Sequence, residues 1–235
     1  MGFLKLYKKR IIRLLILSFM VLTPVMTSAQ PKISIGLHAD PVISWFSTDI
    51  KEIKNDGARP GFNFGLSINR YFSPNYSFST GINIVNAGGR TVSSDTTNLM
   101  LGKYELILKE IMPDKPVVYK IQYLSIPLGL KLQTNQIGYV TFFSDIGIDP
   151  KVVIGGKVDI PSLGITGEKA LSELNVFNLS YHITGGIEYS VGGNTAIILG
   201  LNFDNNFLDI TKDTGDQPAD KVSHKLLSFR LGVNF

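Results

Sequence analysis

The sequence predicts an all-β protein: an eight-stranded antiparallel up-and-down transmembrane β-barrel with short periplasmic turns and long external loops. Three observations carry that expectation. Apolar and polar or small residues alternate with a period of two in eight separate segments. The connections between those segments alternate between tight and long, the rim asymmetry of outer-membrane barrels. The chain also opens with an export leader and closes on a strand that ends in phenylalanine.

The leader is read from residue types in order. Lys5, Lys8, Lys9, Arg10 and Arg13 precede an apolar stretch from Leu14 to Met26, and Thr27-Ser28-Ala29 supplies a small-residue cleavage site before Gln30. Pro24 breaks the apolar stretch, which is too short to span a bilayer well. We therefore expect residues 1–29 to be a signal peptide cleaved after Ala29, and residues 30–235 to be the barrel domain. Without the five leader cations, the whole-chain balance of 23 basic against 19 acidic residues becomes 18 against 19. The basic charge belongs to the leader, which excludes nucleic acid as a partner. The absence of cysteine excludes disulfides, thiolate metal sites and the acylated cysteine of a lipoprotein.

The strands follow along the chain. In Ile33 to Asp40, Ile33, Ile35, Leu37 and Ala39 oppose Ser34, Gly36, His38 and Asp40. Phe62 to Asn69 repeats the rule, and Tyr76 to Ile84 sets Ser77, Ser79, Gly81 and Asn83 on its second face. Leu124 to Leu132 continues it, opposed by Ser125, Pro127, Gly129 and Lys131, and Tyr139 to Asp149 follows less cleanly. Phe177 to Tyr189, Ile197 to Asp204 and Leu226 to Phe235 complete the eight. Pro127 removes a ladder donor in a barrel without free edges, so a bulge is expected there.

Which face meets lipid follows from composition and position. One face is rich in glycine, serine and asparagine, as a narrow lumen requires, whereas the apolar face carries Tyr71, Phe72, Tyr76, Tyr139, Tyr189 and Phe235 near strand ends, where interfacial girdles sit. Strands of about ten residues at ~3.3 Å rise and ~45° tilt cover roughly 23 Å, which fits the outer membrane. A charge at the lipid midplane costs ~2–4 kcal/mol, and Lys131, Glu188 and Arg230 have the inward parity that avoids this cost. Arg70 has outward parity but lies beside a short turn, from which it snorkels to the headgroups.

Ser73-Pro74-Asn75, Thr134-Asn135-Gln136 and Gly192-Gly193-Asn194 are the tight turns, and the long connections fall near 47–60, 91–119, 156–174 and 205–223. Within the second, Tyr104, Leu106 and Leu108 alternate with Lys103, Glu105 and Ile107, which predicts an external hairpin or flap between Asn98 and Val118. An apolar flap carrying Ile107, Ile111 and Met112 calls for cover by a partner protein, a glycan or the barrel mouth. The spacing of Glu168, Leu171 and Leu174 predicts a short helix within Gly167 to Leu174. The first and last loops carry mixed charge, from Asp49 to Asp56 and from Asp213 to Lys221.

The last strand sets Leu227, Phe229, Leu231, Val233 and Phe235 on one face. An aromatic terminus with apolar residues two apart is what the barrel-assembly machinery is understood to recognise, so Phe229, Leu231, Val233 and Phe235 are read as an assembly signal. Together with the leader ending Ser28-Ala29-Gln30, the segment Tyr123 to Lys131 and the segment Gly185-Gly186-Ile187-Glu188-Tyr189, this strand makes the chain resemble the small outer-membrane barrels of the Bacteroidota that include PorT. The resemblance spans the chain after its leader. It implies an outer-membrane location and an accessory role in protein secretion through the type IX system. Separately, Asp95-Thr96-Thr97 in the second long loop resembles the short O-glycosylation acceptor of that phylum.

Chemistry inside the barrel is weighed against packing. His38, Asp40, Lys131, Asp145, His182, Glu188 and Arg230 are expected to form a hydrogen-bonded and ion-paired lumen network, because an eight-stranded interior is just wide enough for side chains to fill. His182 and Ser180 lie two apart on one strand, with His224 beside Ser223, but no oriented base or substrate surface is identifiable. Three scattered histidines lack metal-ligand spacing. The expected function is therefore non-enzymatic and cofactor-free, with external loops presented to envelope or secretion-system proteins. A lipid-modifying enzyme and an adhesive or ligand-binding barrel are the alternatives. Expected partners are outer-membrane lipid and, during insertion, the barrel-assembly machinery.

Overall fold

The computed structural model describes residues 32–102, 107–212 and 221–235. The leader, Lys103 to Leu106 of the expected flap, and Asp213, Asp216 and Asp220 lie outside the described residues. Among the described residues, thirteen strands appear in chain order: β1 (Ile33–Thr48), β2 (Ile53–Asn55), β3 (Arg59–Ser73), β4 (Tyr76–Ser93), β5 (Thr97–Leu101), β6 (Ile107–Ile111), β7 (Pro116–Ser125), β8 (Leu128–Gln133), β9 (Val140–Ile160), β10 (Ile165–Lys169), β11 (Phe177–Gly192), β12 (Thr195–Asn206) and β13 (Val222–Asn234).

The ring runs β1, β3, β4, β7 with β8, β9, β11, β12 and β13, and β13 returns to β1. Every pairing in it is antiparallel; each ring strand pairs with the next ring strand along the chain, and β13 closes on β1. Closure removes free edges, so every strand of the ring finds backbone partners on both sides within it. The strands β7 and β8 are one ring position interrupted at Ile126-Pro127. The expected bulge is absent there. Asn83↔Ser125 and Thr80↔Leu128 keep one register offset, which sets Gly81 opposite Pro127, where no side chain crowds the ring. Ile126 N still donates to Pro150 O at 3.0 Å.

A bulge lies instead between β7 and β9, where Gln122↔Gly155 is followed by Tyr123↔Val153 and Ile154 is the extra residue. Its consequence is a change of parity. Before it, Asp145, Asp149, Lys151 and Val153 point inward; beyond it, Val158 and Ile160 are buried inside while Lys157 and Asp159 point out.

Strands also run past the segments that alternation marked, reaching Thr48 in β1, Ser93 in β4 and Ile160 in β9. The polarity rule inverts there. Inward positions pass from His38 and Asp40 to Val42 and Phe46 on β1, and from Ser79 and Asn83 to Val85 and Ala87 on β4. Outward positions pass from Ile82 and Ile84 to Asn86 and Arg90, and from Ile126 and Leu124 to Gln122 and Lys120. One barrel wall thus has an apolar outside over its short-turn part and an apolar inside over its long-loop part.

Upon that second part folds the connection from β4 to β7, where β5 and β6 form a hairpin as expected. Leu99, Leu101 and Ile111 from it are buried in one apolar cluster with Phe46, Val117 and Tyr119. The short helix expected within Gly167 to Leu174 is replaced by β10 and a single 3-10 turn at Leu171–Glu173. Gly167 has φ of 68°, outside helical space, and its N–H donates to Asp159.

Candidate functional site

The lower lumen is filled by ionisable side chains held on rigid strands. Asp40 of β1 gathers His38 Nδ1 at 2.9 Å, a hydrogen bond from Asn63 Nδ2 at 2.9 Å and Arg230 Nε at 3.6 Å, an ion-pair distance beyond a good hydrogen bond. Lys131 Nζ, Gln133 Nε2 and Asn234 Nδ2 all donate to Glu188, the last two at 2.7 and 2.8 Å. His182 faces Asp149 at 3.1 Å through Nδ1 and Asp145 at 3.5 Å through Nε2, and Ser79 Oγ donates to Asp145 at 2.8 Å. The predicted His38, Asp40, Lys131, Asp145, His182, Glu188 and Arg230 all point into this lumen, as three linked groups.

Lys151, Asp149 and Asp204 belong to it as well. Lys151 Nζ donates to both Asp204 oxygens at 2.7 and 2.6 Å, and Ser180 Oγ donates to Asp204 at 3.0 Å. The alternation that marked Asp145 and Asp149 would have found Lys151 if continued two residues, and Asp204 closes the seventh segment with inward parity. Ser180 and His182 hydrogen-bond to different carboxylates, so the geometry does not join them as nucleophile and base. Among the described residues no group of three or more histidine or carboxylate side chains is placed to hold a metal ion.

Close packing leaves little space. A cavity of about 60 Å³ remains between His38, Asn83, Lys131, Asp145, His182 and Arg230. Gly147 is required by this packing, since a Cβ there would meet Leu128 O at 2.2 Å and His182 Cε1 at 2.8 Å.

Above the charges lies an apolar plug. Phe46 meets Tyr119 edge-on at 5.8 Å and His224 at 5.0 Å between ring centroids. Tyr123 Oη lies 2.9 Å from His224 Nδ1, and His224 Nε2 lies 3.2 Å from Gly88 O, so one neutral tautomer with its proton on Nε2 satisfies both contacts. Ser223, beside it in sequence, is on the opposite face. The flap covers the plug, with Leu101 2 % exposed, while Met112 at its base is 61 % exposed. The barrel mouth therefore covers Ile111; Ile107's side chain lies outside the described residues.

On the outer wall, Ile33, Ile35, Leu37, Phe78, Ile82, Ile146, Ile148, Leu201 and Phe229 are exposed and form a continuous apolar band. Leu231, Val233 and Phe235 continue it to the short-turn rim, where Phe72 stacks on Tyr76 and Tyr139 packs beside Tyr189. Arg70 is exposed on this face near the same rim. An apolar outer wall around a charged interior suits lipid outside and protein inside. A closed antiparallel barrel of this construction is an integral outer-membrane protein, with short turns toward the periplasm and long loops outside. The chain belongs to the outer membrane protein beta-barrel domain family, whose model matches residues 28–233.

Among proteins with curated descriptions, none matches this chain. Solved structures of outer-membrane proteins align with this chain. Neisserial surface protein A aligns at a TM-score of 0.51 and 11% identity, over 86% of this chain and 95% of its own. Ail, the attachment invasion locus protein of Yersinia pestis, aligns at 0.43 and 12%, over 88% and 100%. OprG of Pseudomonas aeruginosa aligns at 0.43 and 10%, over 88% and 98%. At 11% identity the likeness to Neisserial surface protein A extends to the fold alone.

Proposed function

We propose that this barrel is a non-enzymatic docking protein whose external head receives a partner protein of the cell envelope, as an accessory of protein export. The observation that carries the reading is the filled interior. Ion-paired side chains occupy the lower lumen and an apolar plug with its hairpin cover occupies the upper, which leaves the external rim as the surface for action. That rim has apolar side chains outside the lipid band, among them Met112, Leu163 and Leu171, between charged loops. Resemblance to PorT-like barrels of the Bacteroidota supplies the export context, with type IX secretion as the system to examine. The terminal Phe229, Leu231, Val233 and Phe235 serve the barrel-assembly machinery before that role begins.

Affinity purification from detergent-solubilised outer membranes, with mass spectrometry of the accompanying proteins, tests the reading. Stoichiometric envelope or secretion proteins, lost when the β5–β6 hairpin is replaced by a short turn, are the expected result. A folded barrel that comes alone, together with a changed lipid A mass in the deletion strain, overturns it in favour of a lipid-modifying enzyme. Whole-cell binding to a surface ligand that is lost on loop exchange overturns it in favour of an adhesive barrel.

A further inference from the structure

The outward face at the end of the lipid band holds an arrangement that stability does not ask for. Lys120 of β7, Lys157 of β9 and Lys169 of β10 stand directly opposite one another in adjacent strands. Like charges in opposed positions destabilise a sheet. Arg59 is anchored beside them by donating to Ala87 O at 3.1 Å. These four cations border one cleft of about 460 Å³, open to the exterior, whose floor includes Asn86 and Gln122 joined by a 3.0 Å hydrogen bond. Against them stands the Asp159 carboxylate, ion-paired with Lys120 and accepting from Gly167 N.

Position narrows what could fill this cleft. Directly below Asn86 lie outward Ile84 and Ile82, below Gln122 lie Leu124 and Ile126, and below Gly155 lies exposed Ile154. The cations therefore sit at headgroup depth of the outer leaflet. The bulge at Ile154 creates the arrangement, because unbroken alternation would turn Lys157 into the barrel.

We propose that this cleft binds the phosphorylated sugar headgroup of an outer-leaflet glycolipid, with Arg59, Lys157 and Lys169 on the phosphoryl oxygens and Ile154 against the acyl chains. Arg59 supplies planar donors and the lysines supply point charge, the usual division in phosphate recognition. The inference stands apart from the partner-docking reading, since it concerns the lipid-side cleft between β7, β9 and β10 and not the β5–β6 hairpin whose replacement tests that reading.

The test measures binding of monophosphoryl lipid A and its dephosphorylated counterpart to the detergent-purified full barrel, wild type, K157Q/K169Q and D159N. Retained heat-modifiable gel migration confirms the fold of each variant. The proposal expects phosphorylated lipid to bind wild type at least tenfold more tightly than dephosphorylated lipid. K157Q/K169Q should lose that preference and D159N should strengthen it. Relief of the opposed charges should also raise the unfolding temperature of K157Q/K169Q. Equal binding of the two lipids by wild type, or an unchanged preference in K157Q/K169Q, overturns the proposal. Full competition by inorganic phosphate at the lipid's own affinity, or displacement by a sulfated polysaccharide that needs the same lysines, overturns the lipid assignment in favour of a free anion or an acidic glycan.

Discussion

At the scale of single residues, the interior is governed by the cost of an uncompensated charge away from water. Lys151 and Asp204 are both buried and satisfied chiefly by each other. Lys151→Met leaves the carboxylate without its cation and should cost about 3–5 kcal/mol, read as a lower temperature for loss of the compact gel band. Lys151→Met combined with Asp204→Leu should recover most of that loss, because the Asp204 carboxylate is removed together with its cation and Asp149 keeps His182 as its partner. Asp159 behaves differently, since it lies on the outer wall beyond the lipid band. Burial opposes its ionisation, but the bond from Lys120, the Gly167 N–H and the nearby Arg59 outweigh that and hold its carboxyl below the ordinary range. A lowered folded value means that its contribution is present above the unfolded pKa of ~3.9 and lost as pH falls through the folded value. The stability gap between wild type and Asp159→Asn should be flat from pH 5 to 8 and close below about pH 4, as followed by denaturant unfolding. These partnerships were only partly legible in the sequence. Parity places His38, Asp145, His182 and Arg230 inward, whereas which acid meets which base depends on strand register, and register depends on pairings across the barrel.

For individual elements, the decisive feature is the change in what surrounds each strand. Period-two alternation reads cleanly wherever one face meets lipid and the other a polar lumen, and Ile33 to Asp40 and Tyr76 to Ile84 were visible for that reason. Beyond the lipid the same strand needs apolar residues inside, so Val42, Phe46, Val85 and Ala87 continue the wall under the opposite rule. A reading keyed to one polarity stops at that boundary. Deletion of Ile154 should remove the β9 bulge and reverse the residues after it, turning Lys157 and Asp159 inward and Val158 and Ile160 outward. The expected result is an external half cleaved by protease on intact cells, with the membrane-embedded band still protected. For β13, Phe235→Ser removes the aromatic end of the outward row. Folded barrel in the outer membrane should fall several-fold with unfolded chain accumulating in the periplasm, measured by fractionation and heat-modifiable migration.

Taken as a whole molecule, the barrel is two environments stacked on one ring. The lower half is lined with charge and clad in apolar residues; the upper half is filled with apolar residues and clad in polar ones. Among the described residues, the cavity between the lower charged side chains is about 60 Å³, and Phe46, Tyr119 and Tyr123 pack above it. Planar-bilayer recordings of the purified barrel should therefore show no stepwise ionic conductance at neutral pH. Regular steps, reduced by bulkier lumen side chains, would contradict the filled interior.

The sequence alone determined the barrel, its eight membrane-crossing segments, the side of each that faces lipid and the alternation of short and long connections. A two-residue period is local, and exclusion of charge from lipid is strong enough to write that period into composition. Only the tertiary structure decided the inverted upper half, the unshifted passage at Pro127, the bulge at Ile154, the lumen pairs through Lys151 and Asp204, and the row of Lys120, Lys157 and Lys169. Each of these depends on which residue stands opposite which across neighbouring strands, and register is settled by closure of the whole ring, not by any one strand within it.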